Sequence, residues 1–112
     1  MATPTIVTPK QLAQAAITAS YVTIYTVPGG TKTAVQTADL ANTAGILVSV
    51  YLHFVPSGGA VGAANAVIYN VDIPAKGVLS YTGPAILEAG GFISVKGSDV
   101  GVTITVSGLE TS

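Results

Sequence analysis

The sequence predicts an all-β fold: a two-sheet antiparallel β-sandwich, jelly-roll-like, with about eight strands. Three observations predict it. Threonine, valine, isoleucine, alanine and glycine dominate the chain, and the β-branched members of that set suit a pleated, half-buried surface. Turn residues recur at spacings of roughly 8–12 residues, the rhythm of short strands. Apolar and polar residues alternate at period two in the clearest segments. So many strands in one small domain must bury two apolar faces against each other. The 112 residues suit one domain. Residues 1–19 read as an N-terminal arm or edge strand, and residues 20–112 as a single sandwich domain.

The elements follow in chain order. "LAQAAIT" (Leu12 to Thr18) is a weak strand that also reads as a helical turn, because Ala and Gln favour helix. "YVTIYTV" (Tyr21 to Val27) is a clear strand, closed by the turn signal Pro28 to Gly30. "TKTAVQTADLAN" reads as its return strand. In "GILVSVYLHFV", Ile46, Val48, Val50, Leu52 and Phe54 share one face and should point inward; Leu47, Ser49, Tyr51, His53 and Val55 share the other. "AVIYNVDI" ends at Pro74, and "PAKG" turns into "VLSYTG". "AILEAGGFISVKG" reads as a short strand, a turn at Gly90 and Gly91, and another strand. In "GVTITVSGL", Val102, Ile104 and Val106 point inward, with Thr103, Thr105 and Ser107 outward.

Charge is scarce. Only 8% of residues are charged, against a typical ~25%, while 49% are hydrophobic. A membrane span needs about 18 consecutive apolar residues, and the longest apolar stretch is interrupted by Ser49, Tyr51 and His53. The remaining reading is a surface covered by other protein in the working state, so the chain is expected inside an assembly, covered either by copies of itself, as a homo-oligomer, or by another protein. Four scattered lysines and no arginine cannot track a phosphate backbone, which excludes a nucleic-acid partner. The start "MATPTIVTPKQL" lacks a basic segment followed by an apolar one and does not read as a secretory signal. There is no cysteine, hence no disulfide or thiolate site.

No catalytic set stands out, and the chain does not read as an enzyme. His53 is the single histidine. A general base needs a nucleophile and an orienting carboxylate, and a metal needs several donors. Asp39, Asp72 and Asp99 could reach it only through the fold, so His53 reads as a strand residue of the outward face, paired with a neighbour or packed in an interface. The loop "PSGGAVGAAN" lacks the Lys-Ser/Thr of a phosphate-binding loop and precedes a strand, so it reads as a strand connection. No two of Asp39, Asp72, Glu88, Asp99 and Glu110 lie within four residues of each other, which leaves no calcium loop and no metal or cofactor site. Tyr21, Tyr25, Tyr51, Tyr69 and Tyr81 all fall in expected strands and are candidate interface aromatics. The segment Ala2 to Gln14, with Thr5, Ile6, Val7, Lys10 and Leu12, is a candidate docking arm because it is terminal and weakly patterned; the alternative is an edge strand.

Taken together, "TPKQLAQAAITASYVTIYTVPGGT", "VSVYLHFVPSGGAVGAANAV" and "VTITVSGLE" give a pattern that covers nearly the whole chain. It resembles a group of small tailed-bacteriophage virion proteins, which share a "YTVPAGT" opening, an "LHLVPSGG…AAN" middle and an "L-AGD-I" step. Two departures stand out: Gly29 replaces the alanine of "PAGT", and Gly91 stands where the pattern carries an acid. The resemblance implies a non-enzymatic structural protein of the virion. Its expected form is a capsid decoration or accessory subunit that docks through apolar and strand-edge contacts on the major capsid protein or tail proteins. A trimer is the expected oligomer. The alternative it leaves is a receptor- or glycan-binding sandwich at the tail or baseplate.

Overall fold

The computed structural model describes residues 7–111. Eight strands run along them: β1 (Val7–Ala16), β2 (Val22–Thr26), β3 (Lys32–Asn42), β4 (Val48–Val55), β5 (Ala66–Ile73), β6 (Val78–Leu87), β7 (Phe92–Gly97) and β8 (Val102–Thr111). One 3₁₀ turn, Ala63–Asn65, precedes β5. The strands form two four-stranded antiparallel sheets, ordered β1-β8-β3-β6 and β2-β7-β4-β5. First pairs with last, second with seventh, third with sixth and fourth with fifth. The chain is therefore one long hairpin rolled up so that successive pairs alternate between sheets. That is the expected jelly-roll sandwich.

The core lies between the sheets. Val35, Ala38, Leu40, Ile104 and Val106 face Val48, Val50, Leu52, Ile93 and Val95, all without solvent exposure. Each buried Val, Leu or Ile stabilises the fold by about 1.5–3 kcal/mol. The alternation expected for Val102, Ile104 and Val106 holds. It holds for Val48, Val50 and Leu52 as well.

Four expectations change. The weak N-terminal strand is longer, from Val7 to Ala16, and pairs along β8; Leu12 is buried, and Lys10 lies opposite Gly108. Thus Val7, Lys10 and Leu12 belong to an edge strand of the sandwich, while Thr5 and Ile6 lie outside the described residues. Second, β3 is not the return strand of β2: it sits in the other sheet. Val27 and the turn at Gly90 and Gly91 exchange backbone bonds of 2.8 and 3.0 Å, which fixes β2 to β7 instead. Consecutive strands in opposite sheets let both apolar faces meet. Third, "VLSYTG" and "AIL" form one strand, β6, continuous through a cis Gly83-Pro84 bond. Fourth, Ile46 precedes β4 and is exposed, whereas Val55 is buried.

The alternation along β3 changes phase at Gln36, where its register shifts against both neighbours. A β-bulge places one extra residue there. Glycine lies on either side. A Cβ at Gly83 would collide with the Val35 carbonyl, and one at Gly108 with the Ala34 carbonyl.

All four sheet edges are interrupted. β1 carries Pro9 and a register shift at Leu12, and the five-residue β2 shifts at Ile24. β5 bends at Asn70, whose φ is +54°, and β6 carries Pro84. Such features disfavour edge-to-edge strand addition.

Candidate functional site

The outer face of the β2-β7-β4-β5 sheet carries an aromatic patch. Alternation along β4 sends Tyr51 and His53 to that face, while Val50 and Leu52 enter the core. β7 adds Lys96 directly opposite Tyr51, and Ser94 opposite His53. β5 contributes Tyr69, and the residue just before β2 contributes Tyr21.

His53 has no solvent exposure although it points away from the core. The β4–β5 loop folds back over it. Its Nδ1 lies 2.9 Å from Asn65 Oδ1 and 3.1 Å from Gly62 O. Both are acceptors, so Nδ1 carries the proton and Nε2 is free to accept. The Tyr21 hydroxyl donates to Nε2 at 3.2 Å. Asn65 completes the clasp: its Oδ1 accepts from Gly62 N at 3.2 Å and its Nδ2 donates to Ala60 O at 2.9 Å. The segment "PSGGAVGAAN" is thus a strand connection stapled down by the histidine and an asparagine. Among the described residues no carboxylate touches His53, and its ring nitrogens are both engaged.

Three tyrosines surround this staple. Tyr21 stands edge-on to His53 at 5.3 Å and to Tyr51 at 6.4 Å; Tyr69 stands edge-on to Tyr51 at 5.1 Å. Edge-to-face pairs at these distances are the favoured arrangement of ring quadrupoles. Lys96 Nζ lies 5.3 Å from the centroids of both Tyr21 and Tyr51, within cation–π range. Tyr51 OH donates to Asn70 Oδ1 at 3.1 Å. Desolvation, then the neighbouring phenols of Tyr69 and Tyr51, raise the Tyr21 pKa above its ordinary value. The patch is not covered: Tyr21 is 42% and Tyr69 56% exposed.

The other two candidate aromatics lie elsewhere. Tyr81 packs on Phe54 at 5.4 Å beside the core. Tyr25 joins the sheets at one end: its hydroxyl meets Thr33 Oγ1 at 2.8 Å and donates to Glu110 Oε2. Desolvation and that carboxylate push its pKa up to about 12.

The acids stay apart. Asp39 accepts from Ser80 Oγ at 2.8 Å, Asp99 from Val100 N at 2.7 Å, and Asp72 from Ser49 Oγ. Glu88 meets Lys32 at 3.6 Å on the surface, where such a pair contributes little. Among the described residues no three His, Asp or Glu side chains gather as a metal site. Among them, too, no helix is long and apolar enough to cross a membrane.

Sequence reasoning missed Lys96 and Asn65. Lys96 follows an apolar run in β7, and only the register against β4 brings it to the tyrosines. Asn65 sits in a loop whose fold-back no local pattern announces.

No family model matches the chain, and no curated protein matches it. Solved structures do. One is a chain from "Bacillus endospore appendages form a novel family of disulfide-linked pili": TM-score 0.58, 13% identity, covering 96% of this chain and 89% of that one. Another comes from the infectious bursal disease virus Gx strain: TM-score 0.53, 10% identity, covering 96% of this chain. This chain spans 32% of the virus chain's length. At these identities the likeness is one of fold: the all-β sandwich.

Proposed function

We propose that the chain is a non-enzymatic structural subunit of a tailed-phage virion, a capsid decoration or accessory protein that docks on the particle as a trimer. The observation that carries this reading is where the apolar surface lies. Ile46, Leu47 and Val100 are each more than half exposed at one end of the sandwich. Their loops are tied together, Thr43 N donating to Gly101 O at 2.8 Å. On an ordinary soluble surface such a patch favours association. The interrupted edges speak against strand addition, so side chains of this end carry the contact. The sandwich fold it shares with an appendage chain and a virus chain fits an assembly role, as does the scarcity of charge.

Gold-tagged antibody on purified particles, viewed by negative stain, tests the location. Gold over the heads supports decoration. Gold at the tail tip supports the second reading, a tail receptor- or glycan-binding module, which the clustering of Tyr21, Tyr51 and Tyr69 on one face favours. Absence of gold from particles overturns both. Light scattering on the purified chain tests the trimer. Replacing Ile46 and Leu47 with aspartate should abolish particle binding while the melting temperature holds; retained binding sinks the docking-end assignment.

A further inference from the structure

The geometry points to the Tyr21–Tyr51–Tyr69–Lys96 patch as a binding site for a carboxylate-bearing pyranose, an acidic sugar unit. Three properties of the patch lead there.

First, its cation makes no direct contact with an oxygen of the described residues. Lys32 pairs with Glu88, and Lys76 Nζ donates to Thr43 O at 3.0 Å. Lys96 alone among the described lysine side chains has no oxygen partner. Its ammonium rests over two ring faces with its donors unused. A carboxylate is the complementary group.

Second, the rings are preorganised and open. The Tyr21 hydroxyl is held by His53, and that of Tyr51 by Asn70. The edge-to-face set therefore keeps its shape before any ligand arrives, which lowers the ordering cost of binding. A tyrosine ring face offers a flat apolar surface of the size of one pyranose C–H face.

Third, the rim is polar. Asn70 and Asp72 border the rings on β5, with Ser49 beside Asp72. Asn70 Nδ2, the second Asp72 oxygen and the Tyr69 hydroxyl have no partner among the described residues. A donor, an acceptor and a hydroxyl around an aromatic platform match sugar hydroxyls.

This deepens the tail-module reading and rests on it for its biological setting. The binding itself is a property of the free chain, so gold labelling and titration fail independently.

The test is a titration of the purified chain with tetragalacturonate, followed by Lys96 and tyrosine-ring NMR shifts. The fully methyl-esterified tetramer, sialyllactose and a tetraglutamate peptide run in parallel. The expected result is saturable binding of tetragalacturonate, sialyllactose or both, and which of them binds identifies the source of the sugar. The methyl ester should bind about tenfold more weakly, the size of one lost charge-assisted contact. Lys96→Gln and Tyr69→Ala should each weaken binding to a similar degree, while Ile86→Ala on the other sheet leaves it unchanged. Tyr69 is exposed enough for its removal to leave the fold intact, which circular dichroism verifies. Absence of binding by both acidic sugars overturns the proposal. So does equal binding by the Lys96→Gln chain or by the methyl ester. Equal binding of the tetraglutamate peptide also overturns it and assigns the patch to a protein carboxylate.

Discussion

At the scale of single residues, buried polar side chains hold the loops in place. Asn42 is buried and fully bonded: its Nδ2 donates to Ile46 O at 2.8 Å, Ile73 O at 3.0 Å and Pro74 O at 3.2 Å, and its Oδ1 accepts from Ala44 N at 2.9 Å. One side chain thereby joins the β3–β4 and β5–β6 connections. Asn42→Ala strands those backbone groups and should cost on the order of 2–4 kcal/mol in urea unfolding, since each orphaned buried group is expensive. A cost below 0.5 kcal/mol, the range of ordinary surface substitutions, would show that water replaces the bonds. Tyr25 gives a pH signature. Its pKa is raised from 10.0 to about 12, so the folded state favours the neutral phenol. Stability from this group is fully present below pH 10 and is lost as pH climbs through about 12. Thermal melts across that window should fall less steeply for Tyr25→Phe than for the natural chain.

At the scale of elements, the bulge in β3 and the β4–β5 loop are the two sensitive places. Gly108 lies against the Ala34 carbonyl, with no room for a Cβ. Gly108→Ala should therefore cost roughly 3 kcal/mol or more, at the top of the ordinary range for one substitution or above it. Gly45, with open space around its Cβ position, provides the contrast: Gly45→Ala should change stability little. For the loop, His53→Ala removes the proton donor that Gly62 O and Asn65 Oδ1 share. Amide exchange from Ser57 to Asn65 should accelerate, with the core strands keeping their protection. Unchanged loop exchange would mean that Asn65 alone suffices as a staple.

At the scale of the whole molecule, nesting makes the first and last strands partners. Val7 lies opposite Thr111, and β8 is sandwiched between β1 and β3. A chain starting at Ile17 loses an entire edge strand, uncovers β8 and removes Leu12 from the core. It should lose cooperative thermal unfolding, so a docking role for this segment cannot be read from deleting it. Retained cooperativity would show that three strands suffice for that sheet. Because every strand pair except β4–β5 joins distant segments, refolding should run on the millisecond-to-second scale of sandwiches rather than the microseconds of helical bundles.

The sequence by itself determined the fold class, the clearest strands and most of the core, because period-two alternation and turn chemistry are local signals. "VTITVSGL" and "VSVYL" wrote their inward faces in plain order, and the same alternation sends His53 to the outward face, where it meets Tyr21. Only the tertiary structure decided which strands pair. Backbone hydrogen bonding is indifferent to side-chain identity, so "YVTIYTV" carries no mark that it joins β7 rather than the strand after its own turn. The same holds for the patch. Lys96 and Tyr51 lie 45 positions apart and meet only through the β4–β7 register. His53 is buried on an outward face only because a glycine-rich loop returns across it, a path set by three hydrogen bonds of Asn65 that no sequence period encodes.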